Sequence, residues 1–165
     1  MSNHLQLIQN KIVTLNQALA LCSDWKKNGS VVFTNGCFDI LHSGHLHYLS
    51  SAADLGHKLI IGLNSDSSLA KLKGKDRPFI KESDRLLMLA SLAFVDAVVL
   101  FEQDTPIKLI ESISPDVLVK GGDYTEEQIV GHQIVKNNGG KVISLEFIEG
   151  YSTTNFIEKI QHGKS

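Results

Sequence analysis

The sequence predicts a doubly wound, Rossmann-like α/β domain, a parallel sheet of about five strands with helices on both faces. Three observations lead there. Short β-branched and aromatic runs alternate along the chain with segments of 3.6-residue apolar periodicity. The runs have the composition of buried parallel strands. Polar clusters recur where a run ends or the next helix begins, the edge at which open α/β sheets bind ligands.

The bulk numbers set bounds. At 165 residues the chain is long enough for one full core. A hydrophobic content of 42% and a mean hydropathy near zero describe a globular chain. No apolar run approaches a membrane span of roughly 20 residues, and Met1-Ser2-Asn3-His4 does not read as a signal peptide. Two cysteines in separate elements suggest no disulfide framework, so a reducing cytoplasm is the expected location. Sixteen basic against eighteen acidic residues argue against a nucleic-acid-coating protein. Any bound anion must be held by a local site.

Residues 1–13 read as an N-terminal arm, poorly ordered or an oligomer contact, ahead of a single domain over 14–165. Thr14-Leu-Asn-Gln17 has capping-box spacing, and a helix follows to Asn28-Gly29. Val31-Val-Phe-Thr34 is the first strand, and His45 to Leu55 forms an amphipathic helix. Lys58 to Leu63 is the second strand, ending in Asn64-Ser-Asp66. After a helical turn, Lys71-Leu-Lys-Gly-Lys-Asp-Arg77-Pro78 reads as a mobile basic loop covering a triphosphate. Glu82 to Ala93 is a helix with Ser83 as its N-cap. Arg85 sits in its first turn, where the dipole disfavours a cation; a ligand-facing role is expected, with a surface ion pair as the alternative. Ala97 to Leu100 is a strand, and Thr105-Pro106 opens the next helix. Pro115 to Val119 is a strand opening into Lys120-Gly-Gly-Asp-Tyr124, and Thr125 to Gln128 is a second capping box. Gly140 to Leu145 is the last strand, and Glu149 to Asn155 leads into a final helix.

The chain is organised around residues 31–49. A strand runs into a loop with glycines at 36 and 44, and His42 and His45 stand at the mouth of the helix. Free N–H groups there carry about half a positive charge, and Gly44 lets a phosphate approach the backbone. Two imidazoles added to that spot make an anion site. Cys37, His42, His45 and His47 also admit a zinc reading, but structural zinc sites favour repeated Cys pairs, and Cys22 belongs to a different helix. No metal is therefore assigned to protein side chains. Ser152, Thr153 and Thr154 after Gly150 suggest a second phosphate cradle, and Lys120-Gly121-Gly122 offers bare backbone and a cation for base and sugar.

No Gly-x-Ser-x-Gly elbow, Walker lysine loop or Gly-x-Gly-x-x-Gly fingerprint is present. A nucleotidyl transfer to a phosphate acceptor needs none of them. A phosphate monoester with a second pKa of about 6 is already largely dianionic at neutral pH. The protein then has to align it and spread charge. Histidines with an unperturbed pKa of about 6.5 would be driven toward the charged form beside a polyphosphate. Mg²⁺ is expected to arrive on the triphosphate, keeping most of its waters.

The run Asn35-Gly-Cys-Phe-Asp-Ile-Leu-His-Ser-Gly-His45 resembles the His-x-Gly-His signature of the nucleotidyltransferase superfamily, in its cytidylyltransferase-like branch. From about Lys11 to Ile160 the chain is similar to the adenylyltransferase domain of bacterial bifunctional heptose kinase/adenylyltransferases. Gly62-Leu-Asn-Ser-Asp66, Leu72-Lys-Gly-Lys-Asp-Arg-Pro78, Val119-Lys-Gly-Gly-Asp-Tyr124 and Glu149-Gly-Tyr-Ser-Thr-Thr-Asn155 carry the rest of the match. Glycerol-phosphate cytidylyltransferases share the His motif and Ser-Thr-Thr. They usually carry Arg-Thr-Glu-Gly where this chain has Phe147-Ile-Glu-Gly150, and Met-Gly-Asp-Asp-Trp where it has Lys120 to Tyr124.

The resemblance implies transfer of AMP from ATP to D-glycero-D-manno-heptose 1-phosphate, giving ADP-heptose and pyrophosphate for lipopolysaccharide or other surface glycans. It implies that His42, His45 and Lys73 are catalytic. Asn35, Gly36, Cys37, Phe38, Gly44, Lys120, Gly121, Gly122, Asp123, Tyr124, Gly150, Ser152, Thr153 and Thr154 would hold the nucleotide. Asp39, Asn64, Asp66, Arg77 and Arg85 would lie toward the acceptor. It also implies a homodimer, and a separate heptose kinase to supply the sugar phosphate. Two other classes stay open: a sister enzyme with another acceptor or nucleotide, and a nucleotide-binding protein without turnover.

Overall fold

A computed structural model describes residues 3–146, 157 and 163. The Ser-Thr-Thr stretch with Gly150 and, apart from Ile157, the expected final helix lie outside the described residues. Six strands form one wholly parallel sheet: β1 (Ile12–Val13), β2 (Val31–Gly36), β3 (Lys58–Asn64), β4 (Ala97–Phe101), β5 (Val117–Gly121) and β6 (Lys141–Leu145). Their order is β1-β4-β3-β2-β5-β6.

The sixth strand is β1. Ile12 and Val13 pair with Val98 and Val99, and the Val98 amide donates to the Lys11 carbonyl. A two-residue edge strand is too short to show any period in sequence. Ahead of it, α1 (His4–Gln9) is capped by Asn3, which accepts from the Leu5 amide. These segments are therefore helix and sheet edge, where the sequence suggested a poorly ordered arm or an oligomer contact.

The remaining helices are α2 (Leu15–Trp25), α3 (Ser43–Ala53), α4 (Asp66–Lys73), α5 (Glu82–Ala90), α6 (Ile107–Ile113) and α7 (His132–Asn137). The Thr14–Gln17 capping box starts α2 as expected. Other boundaries move. The α2 helix ends at Trp25, short of Gly29. Pro106 is the cap of α6 rather than its first residue. Lys81, not Ser83, occupies the cap of α5, because the extended backbone at Lys81 (ψ 151°) turns into helix one residue later. Thr125 to Gln128 closes only a 3₁₀ turn, Glu126–Gln128. Lys71 and Lys73 lie in the last turn of α4, where cations complement the dipole, so the expected basic loop begins only at Gly74.

Two apolar layers cover the sheet. One packs Ala18, Cys22, Leu109, Ile110 and Val135 against Phe33, Ile60 and Val99. The other packs Tyr48, Leu49, Ala52, Leu89 and Ala90 against Val32, Ile61 and Val119. Burial on both faces explains why the strands read as continuous apolar runs.

Candidate active site

Strand β2 is the centre of the sheet, paired with β3 on one side and β5 on the other. The chain order reverses there, so a crevice opens at the carboxyl ends of β2 and β5. The β2–β5 register runs from Val32↔Val117 to Thr34↔Val119. Beyond it, Asn35 and Gly36 face Lys120 and Gly121 across a crevice of about 780 Å³.

The loop from β2 to α3 forms one wall. Phe38 has φ +45°, a left-handed conformation uncommon for a bulky side chain. Its ring meets His45 edge-on, with centroids 5.3 Å apart. Gly36 makes room for that ring, since a Cβ there would lie 2.9 Å from Phe38 Cε2. His42 is the N-cap of α3, and its carbonyl accepts from the His45 amide at 2.9 Å. The His42 and His45 rings are 3.9 Å apart and tilted by 31°. Burial lowers the pKa of both, taking His45, which also faces the charge of His42, down to about 4. In the free protein at neutral pH the pair is uncharged. His45 Nδ1 is buried with no hydrogen-bond partner among the described residues.

Two lysines reach the crevice, Lys73 from α4 and Lys120 from β5. Lys120 Nζ donates to the Asn35 carbonyl at 3.2 Å; burial lowers its pKa, and Lys73 adds to the effect. Burial raises the Cys37 thiol, against the opposing pull of Lys73, Arg85 and Lys120. The thiol is therefore protonated at neutral pH and donates toward Asn64 Oδ1 at 3.8 Å.

Asp39 is buried and fully engaged. Oδ2 takes Arg77 Nε at 2.5 Å, and Oδ1 accepts from the Phe79 and Ile80 amides at 2.7 and 3.1 Å. The carboxylate thus fastens the basic segment to the histidine loop. Arg77 lines the crevice while its guanidinium stacks 4.5 Å from the Phe79 ring centroid.

Arg85 departs from the sequence expectation. It is 1% exposed, lies outside the crevice lining, and points into the protein. It donates to the carbonyls of Ile80, Cys37 and Asn64 at 2.9, 2.6 and 2.9 Å, and to Asp66 Oδ1 at 2.7 Å. Three backbone oxygens and a carboxylate compensate a cation at a helix N-terminus, so no ligand is needed to explain it. Asp66 itself sits outside the lining, as do Gly122 and Asp123, whereas Tyr124 reaches the rim.

The crevice also contains residues that the sequence reading passed over. Tyr48 lies one helical turn beyond His45 and lines the same wall, which helical spacing from His45 would have indicated. Leu72, Asp104, Thr105, Pro106 and Val130 complete the lining. Leu72 read only as part of the basic loop and Thr105-Pro106 only as a helix start, and nothing local marked Asp104 or Val130.

A parallel sheet opening at its central strand onto paired histidines and two crevice-lining lysines defines a nucleotide-handling α/β enzyme. The chain belongs to the cytidylyltransferase-like family, whose sequence model matches residues 33–159, and it is a nucleotidyltransferase. Among curated relatives, Bifunctional protein HldE of Helicobacter hepaticus is 53% identical over 163 residues, 99% of this chain and 33% of that protein. Bifunctional protein HldE of Methylobacillus flagellatus is 51% identical over 152 residues, 92% of this chain and 31% of that protein. The chain therefore spans about a third of the length of these relatives. Among solved structures, the lipopolysaccharide core biosynthesis protein from Thermoplasma volcanium aligns with TM-score 0.60 and 26% identity, over 76% of this chain and all of that one. Pantoate-beta-alanine ligase from Francisella tularensis aligns with TM-score 0.61 at 14% identity, over 91% of this chain and 76% of that one, a likeness of fold alone.

Proposed function

We propose that the protein transfers AMP from ATP to D-glycero-D-manno-heptose 1-phosphate. A phosphate oxygen of the sugar attacks the α-phosphorus in line, the bond from that phosphorus to the α,β-bridging oxygen breaks, and pyrophosphate leaves. The observation that carries the reading is the His42–His45 pair at the start of α3, facing a crevice that Lys73 and Lys120 also reach. The sequence resemblance supplies the substrate.

In this reading His42 and His45 contact the α- and β-phosphates and Lys73 follows the charge that develops on them. Asn35 to Phe38, Gly44, Lys120, Gly121 and Tyr124 surround the nucleotide, with Gly150 and Ser152 to Thr154 on the outer phosphates. Asp39, Asn64 and Arg77 shape the acceptor side, Asp39 by holding Arg77. Burial of the histidines has a purpose here. Neutral, poorly solvated imidazoles gain a charge only as a polyphosphate arrives, so they strengthen their grip where negative charge accumulates.

Mg²⁺ fits the site as an ion that comes with ATP. Mg²⁺ on a triphosphate is held by phosphate oxygens and water; among the described residues no three His, Cys, Asp or Glu side chains are grouped to hold a metal ion. When bound it would neutralise charge on the leaving pyrophosphate. A cytoplasmic location is part of the proposal; no described helix is long and apolar enough to cross a membrane. A homodimer, and a heptose kinase activity that supplies the sugar phosphate, complete the proposal.

Pyrophosphate release with Mg²⁺, for ATP, CTP, GTP and UTP against both anomers of heptose 1-phosphate and glycerol 3-phosphate, tests it. Release confined to ATP with a heptose 1-phosphate is expected, and also identifies the anomer. Release with CTP or glycerol phosphate would overturn the substrate assignment and retain the reaction class.

A further inference from the structure

We propose that Tyr48 is a positioning residue for the transfer: its hydroxyl fastens α3 to the floor of the crevice and so sets the aim of His45. The inference rests on the reading of His45 as a phosphate contact.

Tyr48 is 7% exposed and lies on the same face of α3 as His45, one turn on. Its hydroxyl is 2.5 Å from Thr34 Oγ1 and 3.4 Å from the Val119 carbonyl. Thr34 and Val119 are register partners on β2 and β5. One phenol oxygen thus ties the histidine helix to both strands that flank the crevice. The surrounding layer is apolar, with Val32, Leu49 and Ala52 close by. A Phe–Val pair would fill that space without burying two hydroxyls, so packing alone does not account for the polar pair.

His45 needs such an anchor. Its Nδ1 has no hydrogen-bond partner among the described residues, and its ring is bounded by Phe38 and His42. The direction of its imidazole therefore follows the placement of the helix. A displacement of about 1 Å at a reacting group is enough to lose roughly a hundredfold in rate. Tyr48 itself moves no proton: burial pushes its pKa up to about 12, so it stays a phenol.

The test is a cycle of Tyr48→Phe, Thr34→Val and the double variant, read by melting temperature, by steady-state kinetics and by the imidazole NMR resonances of His45. Tyr48→Phe removes one partner of the buried Thr34 hydroxyl and Thr34→Val removes one of the partners of the Tyr48 hydroxyl, so each single change lowers Tm; the double change removes both groups and restores most of it. In Tyr48→Phe, kcat falls about tenfold or more while KM for ATP stays within about threefold, and the loss persists in the double variant. The His45 resonances are displaced in both. Recovery of kcat together with Tm would show a merely structural pair and overturn the proposal. Unmoved His45 resonances would overturn it too, even in a protein that proved silent with heptose 1-phosphate. That silence would instead count against the proposed substrate.

Discussion

Asp39 and Arg85 hold the peptide groups of Ile80 from opposite sides. The Ile80 amide donates to Asp39 Oδ1 at 3.1 Å, and its carbonyl accepts from Arg85 Nε at 2.9 Å. Asp39 belongs to the histidine loop and Arg85 to α5, so the segment carrying Arg77 is clamped between them. Arg85 also reaches the ends of β2 and β3 through Cys37 and Asn64.

Arg85→Ala is therefore expected to act first on stability. It removes the partner of the Ile80, Cys37 and Asn64 carbonyls and of the part-exposed Asp66 carboxylate, a loss of about 3 kcal/mol. Arg85→Lys keeps the charge and loses the fork, at a cost of about 2 kcal/mol or more. Chemical denaturation checks both. A fully stable Arg85→Ala protein with a raised KM for the acceptor would show a ligand contact instead.

Stability should also fall with acidity through His45. The unfolded side chain takes up a proton near its ordinary value of 6.5, whereas the buried one resists until about pH 4. This contribution is full above 6.5 and lost as pH falls toward 4. It amounts to about 2 kcal/mol after screening. Urea midpoints at pH 7 and 4.5 should diverge more for the wild type than for His45→Asn.

Binding has the opposite proton balance. Polyphosphate beside His42 and His45 raises their depressed pKa values, so ATP binding near pH 6.5 should take up protons. Calorimetry in two buffers of different ionisation enthalpy measures that uptake. It should shrink in His42→Ala and His45→Ala; uptake unchanged in both would place the triphosphate elsewhere.

Gly36→Ala tests the Phe38 wall. The added methyl lies 2.9 Å from the Phe38 ring, which abuts His45. A kcat loss of about tenfold or more is expected with a stability change of about 1–2 kcal/mol. Gly74→Ala is the control, because its Cβ meets nothing within 4 Å and only the positive φ is strained. Equal kcat for Gly36→Ala and wild type would show that the wall yields.

The strand–loop–histidine unit was legible because strand, glycines and helix start are contiguous, and spacing alone brings His42 beside His45. Alternating runs likewise implied the parallel sheet. Arg85 was misread because its partners Cys37 and Asn64 are distant in sequence, so local dipole reasoning could not see the carbonyls that hold it. Lys73 read as loop because Gly74 and Pro78 suggested a break, yet the helix runs up to Gly74. Tyr48 was passed over because the strand partners of its hydroxyl, Thr34 and Val119, are distant in sequence. Ile12–Val13 became a strand only through pairing with β4.

The most direct measurement is a ³¹P NMR time course of the protein with ATP, Mg²⁺ and D-glycero-D-manno-heptose 1-phosphate. The account predicts that a nucleotide-sugar diphosphate and pyrophosphate appear one for one as ATP and sugar phosphate disappear, and that His45→Ala abolishes both signals. Orthophosphate and ADP in their place, or transfer undiminished in His45→Ala, would contradict it.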